Sequence, residues 1–245
     1  FDCGSGVTQR LNAAGVKSSD IEILFVTHLH SDHVMDIYQL YISGWHQGRD
    51  KKFRIVGPKG TKEFFQNMLK AFKNELQGRV QWEQRPNKGG LDYEITEINS
   101  DYAYKNLHLE IIPFEVDHYP VEPAYGYQIK VSDTEMEKKV VISGDTRKNE
   151  NLINHAMDAD ALVHEVFINL EFDENRMSKK TISNVRDYHT SPKEIGEIAK
   201  AANVKKLILT HFVPPVFDED FLTKEIRDSY KGNVIIGEDL LTIEI

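Results

Sequence analysis

Seven consecutive residues, Thr27-His28-Leu29-His30-Ser31-Asp32-His33, constrain this chain more than any other stretch. They place three imidazoles and a carboxylate within six positions, directly after the apolar, β-branched run at residues 21–27. Such a run reads as a short buried strand. Neutral imidazole nitrogen and carboxylate oxygen are the ligands that zinc and similar divalent ions take, and four such groups at one strand end can serve two ions.

Three further candidates follow the same placement rule. His118 comes just past a strand-like run at 107–116, Asp145 just past 140–143, and His211 just past 206–210. Other strand-like runs lie at 53–56, 161–163 and 233–236, and helical patterns at 36–42, 62–76, 149–156, 192–202 and 221–229 alternate with them. Alternation of this kind predicts an α/β fold. In open α/β sheets, sites are built in the crevice outside the carboxyl ends of the strands, so the loops bearing these ligands are expected at one sheet edge.

Local punctuation sharpens two regions. Ser191, Pro192 and Glu194 form a capping box with proline at the first helical position, which places His189 just ahead of a well-defined helix start. The polar stretch at 85–104, with Pro86-Asn87-Lys88-Gly89-Gly90, reads as a turn leading into irregular or hairpin structure. Within 62–76, Phe64, Phe65, Met68, Leu69, Phe72 and Leu76 share one stripe, which predicts a single amphipathic helix.

The length of 245 residues suits one domain, and 1–245 is taken as a single unit. The single cysteine, Cys3, cannot form an internal disulfide. A reducing compartment is compatible with this, and the cytoplasm is favoured. No apolar run approaches the roughly 20 residues of a membrane-spanning helix, and no membrane partner is expected. A formal net charge of -9 disfavours general nucleic-acid binding. Residues 51–90, however, carry ten basic side chains against three acidic ones, a stretch suited to a solvated helix face or to steering an anionic substrate. The chain opens at Phe1-Asp2-Cys3 as if entered in mid-strand, so N-terminal strands are expected to be missing, and export is left open.

The heptapeptide, the Asp117-His118 pair followed by Ala-Tyr-Gly-Tyr, Ser143-Gly144-Asp145-Thr146 and Leu209-Thr210-His211 together resemble the metallo-β-lactamase superfamily over nearly the whole chain. The resemblance implies a four-layer αββα sandwich. It puts His28, His30 and His118 on one metal and Asp32, His33 and His211 on another, with Asp145 bridging. Two divalent ions, zinc first with manganese or iron as alternatives, would then hold a hydroxide that attacks an ester. Asp32 could also accept a proton. Tyr188-His189-Thr190-Ser191 and His164-Glu165 resemble segments of ribonuclease Z, which implies His189 on the leaving side of the substrate and Glu165 orienting a histidine. Asp2 matches the aspartate that supports the histidine loop.

Two branches are excluded. A β-lactamase of the best-known type needs a late cysteine ligand, and a flavodiiron reductase needs a glutamate where His30 stands. The spacing from Asp145 to His211 resembles ribonuclease Z, but a Gly/Pro-rich arm is not evident and Val213-Pro214-Pro215 follows the last ligand. Ser43-Gly44-Trp45, Gly57-Pro58-x-Gly60 and residues 211–215 resemble arylsulfatases and small-molecule phosphodiesterases. A small anionic ester is therefore preferred here over RNA as substrate, with a homodimer admitted and a metal-binding scaffold as a further alternative. Trp45 and the aromatics of 62–76 are candidates for a substrate wall.

Overall fold

The computed structural model describes residues 1–99, 101–132, 137–168 and 177–245. They group into two compact units, 1–100 and 101–245.

In the first unit the elements run α1 (Val7–Ala13), β1 (Ile23–Phe25), α2 (Ser31–Val34), α3 (Ile37–His46), β2 (Phe53–Gly57), α4 (Thr61–Ala71), α5 (Lys73–Glu83) and β3 (Tyr93–Glu97). The three strands form a parallel sheet in the order β1-β2-β3. Leu24, Phe53 and Ile55 from the strands and Val26 just after β1 pack with Val34, Ile37, Leu40, Tyr41 and Phe65 from the helices, and Cys3 lies among them. Burying each such side chain is worth about 1.5–3 kcal/mol, so the sheet face, rather than local propensity, holds this unit together. Burial pushes the Cys3 thiol up to about 12, which keeps it protonated and inert.

Three sequence expectations are revised here. The stretch at 85–104 contains β3, and β3 pairs with β2 in parallel rather than forming a hairpin. The predicted helix over 62–76 breaks at Phe72 into α4 and α5. Phe72 stacks on Tyr38 with ring centroids 3.7 Å apart, while Phe65 of the same stripe is fully buried. The stripe therefore serves two different surfaces, and no single straight helix satisfies both. Trp45 is 2% exposed and is covered by the Arg85 guanidinium, so it packs inside the unit rather than presenting a wall to substrate. Arg49, also buried, donates from Nη2 to the carbonyls of Tyr41 and Gly90 and lies over the rings of Tyr41 and Phe53.

The second unit runs β4 (Tyr104–Lys105), β5 (Leu109–Val116), β6 (Ala124–Ser132), β7 (Glu137–Ile142), α6 (Glu150–Ala156), β8 (Ala161–Phe167), α7 (Lys179–Asp187), α8 (Pro192–Ala201), β9 (Lys206–Val213), α9 (Glu219–Ser229) and β10 (Asn233–Ile236). Its seven-stranded mixed sheet has the order β10-β9-β8-β7-β6-β5-β4. β7, β8, β9 and β10 are mutually parallel, and β6 runs antiparallel to both β5 and β7. The carboxyl ends of β5, β7, β8 and β9 consequently lie at one sheet edge, as the placement of the ligands after strands predicts.

Leu152 and Ala156 of α6, Ile195, Ile198 and Ala199 of α8, and Leu222 and Ile226 of α9 cover this sheet over Val141, Leu162, Leu207 and Leu209. Gly196 lets α8 and α9 approach closely, because a Cβ there would lie 2.5 Å from the Ile226 carbonyl oxygen. The capping box at Ser191 and Glu194 forms as predicted. Among the described residues no helix is long and apolar enough to cross a membrane.

Candidate metal centre

In the first unit the heptapeptide leaves β1 and turns into α2. Asp2 organises it. Its Oδ1 accepts the Thr27 N–H at 2.7 Å, and its Oδ2 accepts the Thr27 hydroxyl at 2.8 Å. Oδ2 also lies 2.7 Å from Nδ1 of His33. A carboxylate on Nδ1 fixes that nitrogen as the protonated one and leaves Nε2 as a lone pair, the form in which histidine binds metal. Asp2 itself has φ 53, a left-handed conformation unusual for a residue with a side chain. It is held there by Asp2 N–H to Phe25 O and Cys3 N–H to His33 O.

His28 is fully buried and its Nε2 lies 2.9 Å from Nδ1 of His30, while its own Nδ1 is 3.0 Å from the Thr27 hydroxyl. His28 and His33 rings are 4.0 Å apart between centroids. Asp32, in the first turn of α2, keeps an exposed carboxylate 3.7 Å from Nε2 of His33. All four side chains of the heptapeptide are thus gathered within this unit.

In the second unit Asp145 is the centre. His118 Nε2 lies 3.9 Å and His211 Nε2 3.5 Å from Asp145 Oδ2, and His189 Nδ1 lies 4.0 Å from the same oxygen. Ligand atoms of Asp145, His189 and His211 all fall within 4.8 Å of one another. His118 is fully buried, and its Nδ1 donates to the Tyr188 carbonyl at 2.9 Å, so Nε2 again points inward as an acceptor.

One placement differs from expectation. His211 sits inside β9, not beyond it, at φ 48. The register between β8 and β9 shifts here: His164 faces Leu209, but Val166 faces Phe212. Two residues of β9 therefore oppose one of β8, and this bulge turns His211 out of the strand's alternation towards Asp145.

Glu165, buried in β8, accepts the Thr190 N–H at 2.9 Å and the Thr146 N–H at 3.3 Å on Oε1, and its Oε2 lies 3.2 Å from Nδ1 of His189. Burial, and next the neighbouring Asp145 charge, hold its carboxyl well above the usual range. Thr190 also donates its hydroxyl to the Thr146 carbonyl, linking the segment before α8 to the loop after β7. Thr146, Tyr188 and Thr190 stand inside the sequence motifs, which give them no role of their own. Their adjacency to Asp145 and His189 was the available signal. Arg147 fastens the same loop by pairing with Asp117 and Asp187.

The donor set fits a divalent cation. Imidazole nitrogens are presented as lone pairs by partners on their far sides, and a buried carboxylate faces three of them. His46, His108 and His155 take no part in these groups.

The family model described as Anti-Pycsar protein Apyc1 matches residues 1–213. The chain belongs to this family. Members of the Apyc1 family are not its sole relatives: Ribonuclease Z of Mycolicibacterium gilvum is 33% identical over 249 aligned residues, covering 100% of this chain and 85% of that protein. Ribonuclease Z of Mycobacterium bovis is 30% identical with 86% of its length covered. The metallo-β-lactamase fold protein YhfI from Bacillus subtilis superposes with a TM-score of 0.70 at 23% identity, covering 97% of this chain and 83% of that one. The short form of human tRNase Z does so with 0.67 at 20% identity, covering 100% and 87%.

This Apyc1-family chain is accordingly a metallo-β-lactamase-fold, metal-dependent hydrolase of ester bonds. The comparisons correct one weighting. Preference for a small anionic ester over RNA runs against end-to-end similarity to proteins named Ribonuclease Z, and the arylsulfatase branch gains no relative among those just described.

Proposed function

We propose that this chain is a phosphodiesterase that works with two divalent metal ions, zinc first, and acts as one functional domain. The observation that carries it is the presentation of His118 and His211 Nε2 towards Asp145 Oδ2, beside a His189 ring that Glu165 orients. His28, His30, Asp32 and His33 would supply the remaining ligands. Bound ions of this kind polarise a phosphoryl oxygen and lower the pKa of water from 15.7 to around 7.

The chain's own residues do the rest. Asp2 holds His33 in the tautomer that offers Nε2, and the Tyr188 carbonyl does the same for His118. Asp32, exposed at the start of α2, is placed to take a proton during attack. His189 donates a proton or a hydrogen bond to the departing oxygen, with Glu165 facing its Nδ1.

RNA 3′-end cleavage is the substrate reading that the named relatives favour. A small phosphodiester is the second reading. It is favoured by the sequence between Ser143 and His211, which has only two glycines, Gly144 and Gly196, and one proline, Pro192, and so offers no Gly/Pro-rich arm to hold an RNA body.

The test measures metal content by mass spectrometry, then turnover of unprocessed transfer RNA and of bis(p-nitrophenyl) phosphate, with His118→Ala as control. Specific trimming of the RNA lost in the variant supports the first reading, and turnover of the small ester alone supports the second. Metal-loaded protein that cleaves neither overturns the phosphodiesterase proposal.

A further inference from the structure

In the second unit a cleft of about 770 Å³ is bounded by α7, the start of α8 and the loop after β7. His189 lines it and also belongs to the Asp145 and His211 group, so the cleft leads away from the candidate centre. Four cationic side chains line it, Arg147, Lys148, Arg186 and Lys193, against the carboxylates Asp187, Glu194 and Glu197.

Each carboxylate is already engaged, two of them by Arg147 and Lys148 of the cleft itself. Asp187 lies 3.0 Å from Arg147, and Glu197 lies 2.6 Å from Lys148. Glu194 accepts from the Ser191 N–H and hydroxyl in the capping box. Lys193 lends its field to Glu197 from one helical turn away and makes no close ion pair among the described residues. Arg186 has no carboxylate partner among the described residues. The positive charge left uncommitted therefore stands on the α7 and α8 walls of a cleft that starts at His189. A planar guanidinium and an ammonium together suit phosphate oxygens.

We propose that this cleft is a second anion subsite, which takes a phosphate next to the scissile one, with Arg186 and Lys193 as specificity-determining residues. It rests on the phosphodiesterase proposal in treating that phosphate as part of the substrate. Because both side chains are exposed, their removal leaves the fold intact.

The experiment uses the metal-loaded full chain and a diadenosine dinucleotide in three forms: phosphorylated at the 5′ end, at the 3′ end, or at neither. Wild type should prefer one phosphorylated form in kcat/KM. Arg186→Ala/Lys193→Ala should lower that preference about tenfold, the scale of a charge-assisted phosphate contact. Lys200→Ala, an exposed change on α8 outside the cleft, should keep it. An unchanged preference in the double variant, or no preference in wild type, overturns the subsite. Should none of the dinucleotides be cleaved, that counts against the phosphodiesterase proposal alone. Calorimetric binding of the same three forms then decides the subsite. Tighter binding of a phosphorylated form that the double variant loses supports it, and equal binding of all forms by wild type overturns it.

Discussion

Oδ2 of Asp2 lies 2.7 Å from Nδ1 of His33, and the same carboxylate takes the backbone and hydroxyl donors of Thr27. One side chain near the start of the chain thereby sets both the tautomer of a candidate ligand and the backbone from which the histidine loop departs. Asp2→Asn preserves shape but offers an amide to Nδ1 of His33, which removes the charge that favours the Nε2 lone pair. Metal affinity measured by competition with a chromophoric chelator should fall about 10- to 100-fold. Wild-type affinity in the variant would show that the carboxylate has no orienting role.

His189 faces Glu165 and stands beside Asp145, so its contribution depends on how poor the leaving group is. His189→Ala should lower kcat about 10²- to 10⁴-fold on substrates that expel an alkoxide, as for loss of general acid catalysis. Bis(p-nitrophenyl) phosphate expels a stable phenolate and should suffer far less. Equal losses on both substrates would assign His189 to metal binding or packing instead.

His164 is fully buried in β8, where desolvation lowers its pKa to about 4, and its Nδ1 donates to the Glu165 carbonyl. The folded pKa lies below the unfolded value of about 6.5. The neutral ring therefore contributes stability that is complete above pH 6.5 and is lost as pH falls through 4, about 3 kcal/mol in all. Urea unfolding of wild type and His164→Gln between pH 7.5 and 4.5 reads this as a steeper fall in wild type. Parallel curves would show that the ring is not a determinant of acid stability.

Two glycines in helices should respond with opposite signs. At Gly196 a new Cβ would meet the Ile226 carbonyl oxygen at 2.5 Å, forcing α8 and α9 apart. Gly196→Ala should cost about 1–3 kcal/mol, seen as a lowered melting temperature. Gly78 in α5 has open space around it, and Gly78→Ala should raise stability by up to about 1 kcal/mol. A neutral Gly196→Ala would mean that the two helices do not need this close approach.

Much of the candidate site was legible before folding because its candidate ligands sit at strand ends and in short motifs. The heptapeptide, Asp145 and the capping box that positions His189 all follow from local spacing, and each lies where the pattern places it. Other features were not legible. The split of α4 from α5 depends on Phe72 finding Tyr38 rather than following Phe65 into the core. β6 lacks a one-faced pattern, since it mixes a buried half with exposed Val131 and Ser132, and α7 buries only Ile182, too little apolar surface to mark it in the sequence. Trp45 looked like a substrate wall by composition, yet its ring lies under Arg85 inside the first unit.

Residue type and spacing by themselves determine which groups can bind metal and which segments can be strands or capped helices, because those properties depend on side-chain chemistry and on periods of two and 3.6 residues. The folded chain alone decides tautomer, charge and aim. Asp2 acts on His33 across 31 positions, the Tyr188 carbonyl acts on His118 across 70, and a bulge opposite Glu165 turns His211 towards Asp145. These are effects of contact and burial between distant segments, and no local pattern encodes them.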